Sequence, residues 1–392
     1  MKEGRKMKVG WMRACAELVL SLISIPCAVA GSGYLSWEKV SAPGIHTPDN
    51  RSTFPLTVYN DALYAGTWND TTGAEIWMAG AGGTGPWYQV GSSGFGIPQN
   101  AYPSAMTVFR DRLYVSVLNT AGAQLWFAGD GFSWSRQAVP GLNLSGRAIR
   151  AMAAFAPAGS GECLLVGADS PGGAELWMTD DGVDWLRVEE QGLGDSNNTA
   201  IYSMAVFQGA LYLGTVNQEH GTQIWTTKGG IDWTKVKSDG FGYSGNWATY
   251  TMCTFNNYLY AGTVNQLTGT QVWRSPDGVT WFQSNRDGFG TPDNICSYCM
   301  AVFDSHLYVG TGGTAAQVWR TADGVLWEKA APEGFGADDN MRVHSLMGYD
   351  GYLYAGTANR SGTELWRLTR GGRWQLEDTG RSPGLPPSLH AP

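Results

Sequence analysis

Two small groups of side chains in this sequence could bind a ligand. Basic side chains could contact an anionic group, and aromatic rings could stack on sugars. The basic candidates are Arg51, Arg342, His344 and Arg360. The aromatic candidates recur at regular intervals and are Phe54, Tyr202, Tyr250 and Tyr298. The alternative roles are solvated surface for the basic set and packing between strands for the aromatic set.

Other chemistry has little support in the sequence. The five histidines share no metal-ligand spacing, and neither a Gly-x-Ser-x-Gly motif nor a phosphate-binding loop is present. Three acidic pairs could help to bind calcium, although a role in loop structure ranks above it: Asp49-Asn50, Asp293-Asn294 and Asp339-Asn340. We therefore expect no catalytic residue, no metal and no cofactor.

Composition indicates the kind of elements that must position these candidates. The 392 residues include 54 glycines and 18 tryptophans, and 43% are hydrophobic while only 15% are charged. Disordered chains have few aromatic residues and high charge, and helical bundles avoid glycine. The chain is therefore predicted to be all-β.

A repeat of about 48 residues organises the sequence. Seven copies of an LYxGT-type segment each end at a tryptophan: Trp77, Trp126, Trp177, Trp225, Trp273, Trp319 and Trp366. Each copy resolves into four short strands, A to D, separated by turn pairs such as Asn60-Asp61 and Asp277-Gly278. The pattern predicts a single-domain, seven-bladed β-propeller with four antiparallel strands per blade.

Two polar series recur with this period. Glu or Gln stands two residues before each strand C tryptophan, and Asn stands thirteen residues after most strand D tryptophans, with Arg147 as the exception. In a propeller, both series lie on the rim formed by the D-to-A crossovers and the B–C loops, which we call the crossover rim. They could form a ring of binding pockets or satisfy backbone groups of the crossovers, and their regularity favours the second role. The basic candidates fall on the same rim.

Segments outside the repeat set the predicted boundaries. Residues 1–30 combine five basic residues with an apolar stretch ending at Ala28-Val29-Ala30, which is typical of a secretory signal. A membrane anchor is the weaker alternative, because the apolar run is shorter than roughly 20 residues. The propeller is expected over residues 31–380, with strand D-like residues 35–40 closing the ring at the last blade. Residues 381–392 are expected to form a Pro-rich, flexible tail.

Charge and cysteine content limit the possible partners. The formal net charge is −8 for the whole chain and −11 without residues 1–30, which disfavours nucleic acid and anionic membranes. We expect an exported monomer, either secreted, periplasmic or at the cell surface, with no membrane span after signal cleavage. A disulfide between Cys253 and a cysteine of the next copy would suit export, but the sequence leaves the pairing open. The four cysteines beyond residue 30 are Cys163, Cys253, Cys296 and Cys299.

The C–D hairpins resemble a known motif. SPDGVTW (275–281), TADGVLW (321–327) and TDDGVDW (179–185) are similar to a shortened Asp-box, also called the BNR repeat, of sialidase-like propellers. Over residues 34–376 the chain also looks like exported bacterial and archaeal propellers of unassigned function. Sialidase chemistry, as the resemblance implies it, requires three arginines, a tyrosine nucleophile with a glutamate, and an acid/base aspartate. The Arg-Ile-Pro signature is missing, and Arg51, Arg342 and Arg360 form a partial substitute.

The sequence favours a non-enzymatic function. Near-equivalent blades and the absence of an identifiable acid/base pair point to a binding propeller that recognises a glycan or a protein through the crossover rim. The alternative is a sialidase-like glycoside hydrolase or a polysaccharide lyase with a single site on the same rim.

Overall fold

The computed structural model describes residues 35–80, 83, 86–119, 121–139, 148–188 and 190–368. This part of the chain contains antiparallel strands and short 3₁₀ turns. The turns are Pro43–His46, Ser93–Gly96, Gln191–Gly194, Asp239–Gly242, Asp287–Gly290 and Glu333–Gly336. The all-β prediction is confirmed, whereas the signal at residues 1–30 and the tail at 381–392 lie outside the described residues.

The strands of the first half are β1 (Trp37–Lys39), β2 (Ser52–Tyr59), β3 (Ala62–Trp68), β4 (Glu75–Ala79), β5 (Trp87–Gln89), β6 (Tyr102–Phe109), β7 (Arg112–Leu118), β8 (Gln124–Ala128), β9 (Ser135–Gln137), β10 (Ile149–Phe155), β11 (Cys163–Ala168), β12 (Glu175–Thr179) and β13 (Leu186–Arg187). Those of the second half are β14 (Ala200–Phe207), β15 (Ala210–Val216), β16 (Ile224–Thr227), β17 (Thr234–Lys237), β18 (Ala248–Phe255), β19 (Tyr258–Val264), β20 (Val272–Ser275), β21 (Phe282–Gln283), β22 (Cys296–Phe303), β23 (His306–Gly312), β24 (Gln317–Thr321), β25 (Glu328–Lys329), β26 (Asn340–Tyr349), β27 (Tyr352–Asn359) and β28 (Leu365–Leu368).

Consecutive strands pair into antiparallel units. Strands β2 to β5 form the first unit, and the same order repeats along the chain as far as β22 to β25. In the last unit β26, β27 and β28 are followed by β1, which pairs with β28. The first strand of each unit contacts the first strands of its neighbours, and β26 contacts β2. The units therefore close into a ring around an axis lined by the first strands.

The turns between the first two strands of a unit have the backbone that the sequence predicts. Asn60 and Asp61 have φ values of 47° and 56°, and Asn256 and Asn257 have 46° and 60°. Asn and Asp tolerate this left-handed region better than most residues, and paired positive φ values suit a two-residue hairpin. These turns fix the register of each hairpin.

Aromatic stacking joins the 3₁₀ turns to the outer strands. Phe289 stacks on Trp319 at 4.8 Å between ring centroids and meets Trp327 edge-on at 5.3 Å. Phe335 contacts Trp366 and Trp37 in the same way. Trp37 of β1 thus takes, in the last unit, the position that a strand D tryptophan has elsewhere. The tryptophans pack between sheets to different degrees, since Trp77 and Trp87 are buried whereas Trp273 is only partly buried.

Small residues allow the units to approach each other. The Cβ of an alanine at Gly214 would lie 2.5 Å from the Cβ of Thr249 in the next unit, and one at Gly262 would lie 2.6 Å from that of Ser297. Real Cβ atoms essentially never approach so closely, so glycine is required at these positions for the inner strands to pack.

Cys163, Cys253, Cys296 and Cys299 are free thiols, so the disulfide considered for Cys253 does not form. In the described ranges, no helix is long and apolar enough to cross a membrane.

Candidate functional site

The first strand of each unit contains a bulged residue whose side chain lies at the ring axis. In β14 the register shifts between Ile201 and Ser203, which leaves Tyr202 unpaired with β15. A β-bulge of this kind re-aims one side chain without ending the strand. The same shift occurs in every unit, and we call the resulting set the girdle: Phe54, Ser104, Arg150, Tyr202, Tyr250, Tyr298 and His344.

The girdle and Tyr102 surround a cavity of about 140 Å³. A second cavity of about 250 Å³ is lined by girdle residues and by the next layer of side chains, which includes Met106, Met152, Met204 and Met252. The first strands therefore leave space at the axis of the ring instead of filling it with side chains.

Contacts between neighbouring side chains form a closed circuit around the axis. Tyr250 meets Tyr202 and Tyr298 edge-on, with centroids 5.1 and 5.4 Å apart. Tyr298 is 4.7 Å from His344, which stacks on Phe54 at 4.1 Å. The circuit continues from Phe54 to Tyr102 at 4.2 Å. It ends at Arg150, whose guanidinium lies 5.6 Å from the ring of Tyr102 and 5.5 Å from that of Tyr202. Such contacts fix the orientation of every ring.

Arg150 is the charged member of the girdle, and it is neutralised locally. Its Nε donates a hydrogen bond of 2.9 Å to Oδ2 of Asp169, at the end of β11. Burial alone would lower the pKa of Arg150, but Asp169 together with Tyr202 and Tyr102 more than offsets it, so the pKa lies above its ordinary value. The remaining oxygen, Oδ1 of Asp169, is buried without a partner among the described residues. The pair supplies a dipole to the cavity rather than a net charge.

His344 is held in its neutral form. Its Nδ1 lies 2.5 Å from Oγ of Ser52, and burial together with the positive charge of Arg342 lowers its pKa to about 3. At neutral pH the imidazole therefore carries one proton, and the hydrogen bond with Ser52 fixes its orientation.

The tyrosines are held in their protonated form. Burial raises the pKa of Tyr202, Tyr250 and Tyr298 above the ordinary value. It also raises that of Tyr102, against the opposing effects of Arg150 and Tyr250. These side chains offer hydroxyl groups and aromatic rings to the cavity, but no negative charge.

The three predicted arginines have different surroundings. Arg342 lies with its guanidinium 5.7 Å from the ring centroid of Tyr298, and its Nε is buried without a hydrogen-bond partner in the described chain. Arg51 is about half exposed and lies 4.0 Å from Asp70. Arg360 is exposed on the B–C loop that follows Asn359, whose amide bonds to the carbonyl of Arg51. Of the three, Arg342 is the one whose side chain contacts the girdle.

The recurring polar series forms internal networks. Nδ2 of Asn50 donates to the carbonyl of Gly44 at 2.9 Å and to Glu75 at 2.7 Å, and Asn69 donates to Asn50 at 3.0 Å. The asparagine of the crossover makes equivalent bonds at Asn100, Asn198, Asn246, Asn294 and Asn340. All six are buried. They hold the crossovers in place, as the structural interpretation of the series predicts.

Sequence reasoning missed Arg150, Tyr102 and Ser104. The aromatic candidates and His344 stand four residues after a crossover asparagine, but the third copy has Arg147 instead, so that spacing gives no signal for Arg150. Tyr102 lies two residues after Asn100, ahead of the bulge. No group of three His, Cys, Asp or Glu side chains that could hold a metal occurs within the ranges that the structure covers.

Comparison with known proteins defines the fold. Neither a family model nor a curated protein matches the chain. The structure is similar to virginiamycin B lyase from Staphylococcus aureus, with a TM-score of 0.64 and 9% identity over 86% of this chain and 100% of that one. It is also similar to the WD40 β-propeller domain of Doa1, with a TM-score of 0.57 and 8% identity over 87% and 100%. The GH74 xyloglucanase from Xanthomonas campestris gives 0.54 and 16% over 86% and 56%. The chain is a β-propeller.

Proposed function

We propose that this propeller is a non-enzymatic binding protein that recognises a glycan through the crossover rim and the axial cavity. The observation that carries the proposal is the closed circuit of side-chain contacts that Tyr102 and most of the girdle form around a cavity. Aromatic faces suit the apolar faces of sugar rings, and fixed hydroxyl groups suit their hydroxyls.

The electrostatics of the site support binding over proton transfer. A general acid or base works best when its pKa lies near the working pH. Burial moves the pKa of His344 to about 3 and raises that of Tyr298, so both are far from neutrality. The ion pair of Arg150 with Asp169 leaves no net charge and so suits a neutral, hydroxyl-rich ligand. The unpaired Nε of Arg342 could donate a hydrogen bond to an acceptor oxygen of that ligand.

The proposal includes the finer architecture and location. We propose seven blades of four strands, with Asp-box hairpins and with residues 35–40 completing the last blade. We also propose an exported monomer, secreted, periplasmic or at the cell surface, without a cofactor or a nucleic-acid partner. The repeat of the strand pairings supports the first part, and the net charge of −8 supports the absence of a nucleic-acid partner.

A single-site hydrolase or lyase is the second candidate. It is favoured by the placement of His344 beside Tyr298 at one point of an otherwise repetitive ring. Propellers similar in fold include a lyase and a xyloglucanase as well as a WD40 domain, and fold alone does not decide between these functions.

A glycan array run beside a fluorogenic glycosidase panel tests the proposal. The wild type should bind glycans without turnover, and Arg342→Ala should weaken that binding because Arg342 contacts the girdle. Arg51→Ala is the matched control, since Arg51 lies on the same rim but faces Asp70, and it should bind as the wild type does. Turnover that disappears in Arg342→Ala would establish the enzyme instead. If the wild type neither binds a glycan nor turns over a substrate, glycan recognition would be contradicted and a protein partner indicated.

A further inference from the structure

A third cavity, distinct from the two at the ring axis, lies on the crossover rim between the fourth and fifth copies. Its volume is about 430 Å³, within the range of roughly 300–1,000 Å³ typical of small-molecule sites. Tyr243, Ser244, Gly245 and Trp247 line it from the crossover, and Gln218, Gln266 and Leu267 line it from two B–C loops. No charged residue belongs to this lining.

Gly245 is adapted to the orientation of Tyr243. A Cβ atom at Gly245 would lie 2.6 Å from Cε1 of the Tyr243 ring, so a larger residue at this position would displace the ring. Gly245 does not have the positive φ that would otherwise require glycine. The residue immediately before the crossover asparagine is polar or acidic in the other copies that have this asparagine: Asp49, Gln99, Asn197, Asp293 and Asp339. The fourth crossover thus departs from the repeat in a way that places an aromatic ring on the rim.

Trp247 supplies the second ring. It is one of the few tryptophans outside the strand C and strand D positions, and Ile295 stands at the corresponding place in the next copy. Its backbone carbonyl accepts a hydrogen bond of 2.8 Å from the amide of Asn217, which anchors the residue to the neighbouring loop. Trp247 packs against the same small apolar cluster as Tyr202 and Tyr250 of the girdle.

Two side-chain amides complete the cavity. Gln218 and Gln266 each follow a B–C loop asparagine, at a position that Asp70 and Arg360 occupy in the first and last copies. Among the described residues, neither amide bonds to another protein group, so each keeps its donors and its acceptor for a ligand. Leu267, which is 71% exposed, adds an apolar edge.

From this arrangement we infer that the cavity is a subsite for a neutral sugar residue, with the rings of Tyr243 and Trp247 contacting its apolar face and the two glutamine amides bonding to its hydroxyls. The cavity lining contains no charged side chain, so it offers no electrostatic attraction to an ionic ligand. A neutral ligand is therefore the better fit in this acidic protein. The inference rests on the proposed function only in that both place glycan recognition on the crossover rim.

Calorimetric titration with neutral oligosaccharides tests the subsite. The probes are the hexasaccharides of β-1,4-glucose, β-1,4-xylose and β-1,4-mannose. Tyr243→Ala and Trp247→Ala should each weaken the binding of the preferred probe by about tenfold or more, because each removes a stacking surface. Gly245→Asp should have the same effect by displacing the Tyr243 ring, and the fold should accept it because Asp293 stands at this position in the next copy.

Thr291→Ala provides the control, and Arg342→Ala separates this subsite from the axial cavity. Thr291 corresponds to Tyr243 in the next copy, so its replacement should leave affinity unchanged, and thermal melting should confirm that every variant folds. Failure of all three probes to bind the wild type would overturn the neutral-sugar subsite. Binding that is lost in Arg342→Ala but kept in Tyr243→Ala would also overturn it, while leaving the proposed function of the axial cavity intact.

Discussion

The girdle positions are equivalent in backbone but not in chemistry. The bulge places one side chain from each unit at the axis, and three consecutive units supply Tyr202, Tyr250 and Tyr298. The other units contribute different groups, among them Arg150 and His344. A repeated scaffold therefore carries an asymmetric site, because its side chains differ from unit to unit.

His344 should make stability depend on pH in the weakly acidic range. Its pKa is about 3 in the folded protein and 6.5 ordinarily, so the unfolded chain binds a proton that the folded chain excludes. Stability is therefore complete above pH 6.5 and declines as pH falls toward 3. Between pH 6.5 and 5 the free energy of unfolding should fall by about 2 kcal/mol, at about 1.4 kcal/mol per pKa unit.

Urea denaturation at about pH 7 and pH 5 measures this effect, with His344→Gln as the comparison. The variant should lose less stability than the wild type over this interval, because it has no imidazole to protonate. An equal loss of stability in both proteins would mean that the folded protein allows His344 to become protonated.

Much of the girdle could be predicted from spacing, and the rest could not. Tyr202, Tyr250 and Tyr298 follow the crossover asparagine at a constant distance, which made them candidates. No residue type marks the bulge, because it is occupied by residues as different as Ser104 and Arg150. The pairing of Arg150 with Asp169 joins two strands of the third unit, and a single sequence does not reveal such a tertiary contact.

At the scale of elements, the C–D hairpin is held by one aspartate. Oδ1 of Asp277 accepts hydrogen bonds from the amides of Val279 and Thr280 at 2.8 and 2.7 Å and from the hydroxyl of Ser275 at 3.0 Å. The glycine of the hairpin has a second role, since a side chain at Gly278 would collide with the hydroxyl of Tyr212 in the preceding unit. The hairpin thus joins neighbouring units as well as two strands.

Asp277 should stabilise the protein only while it is ionised. The amides of Thr280 and Val279 lower its pKa from 3.8 to about 2. Its contribution is therefore present above the ordinary pKa and is lost as pH falls through about 2. Asp277→Asn should lower the melting temperature at neutral pH. The difference in melting temperature between the variant and the wild type should become smaller as pH falls from about 5 to 2. Melting curves that remain separated by a constant interval would contradict this role.

Element boundaries show where the sequence pattern was less informative. In the sixth copy, strands A and B are the eight-residue β22 and the seven-residue β23. The predicted strand D is reduced to the two residues of β25, Glu328–Lys329. Outer strands pair on one edge only, so tertiary position rather than local pattern sets their length.

At the scale of the molecule, the ring is closed by contacts between distant parts of the chain. Strand β1 pairs with β28, and Arg367 bonds to Glu38 across that pair. Lys39 adds an ion pair with Glu364 at 3.1 Å, and Nε1 of Trp37 donates to the carbonyl of Ala330 at 3.0 Å. These noncovalent contacts hold the seam of the ring.

Trp37→Ala should weaken the seam in particular. Loss of the indole side chain should reduce the free energy of unfolding by about 3 kcal/mol and loosen β1. The edge of β28 would then be open to pairing with another molecule. Size-exclusion chromatography at increasing concentration should then show oligomers. Trp281→Ala is the matched control, because Trp281 meets Phe241 as Trp37 meets Phe335 but lies within a continuous unit. Oligomers in both variants, or in neither, would show that β1 does not protect that edge.

The pairing of β1 with β28 also sets the order in which the molecule can fold. The amide of Leu365 bonds to the hydroxyl of Ser41, a residue 324 positions earlier in the chain. Closing so long a loop is entropically costly, and contacts of high sequence separation form slowly. During synthesis from the N-terminal side, β1 has no partner until the last unit has emerged, whereas each intervening unit can assemble from consecutive strands. Ring closure is therefore the final step of folding, and the chain is most exposed to aggregation just before it.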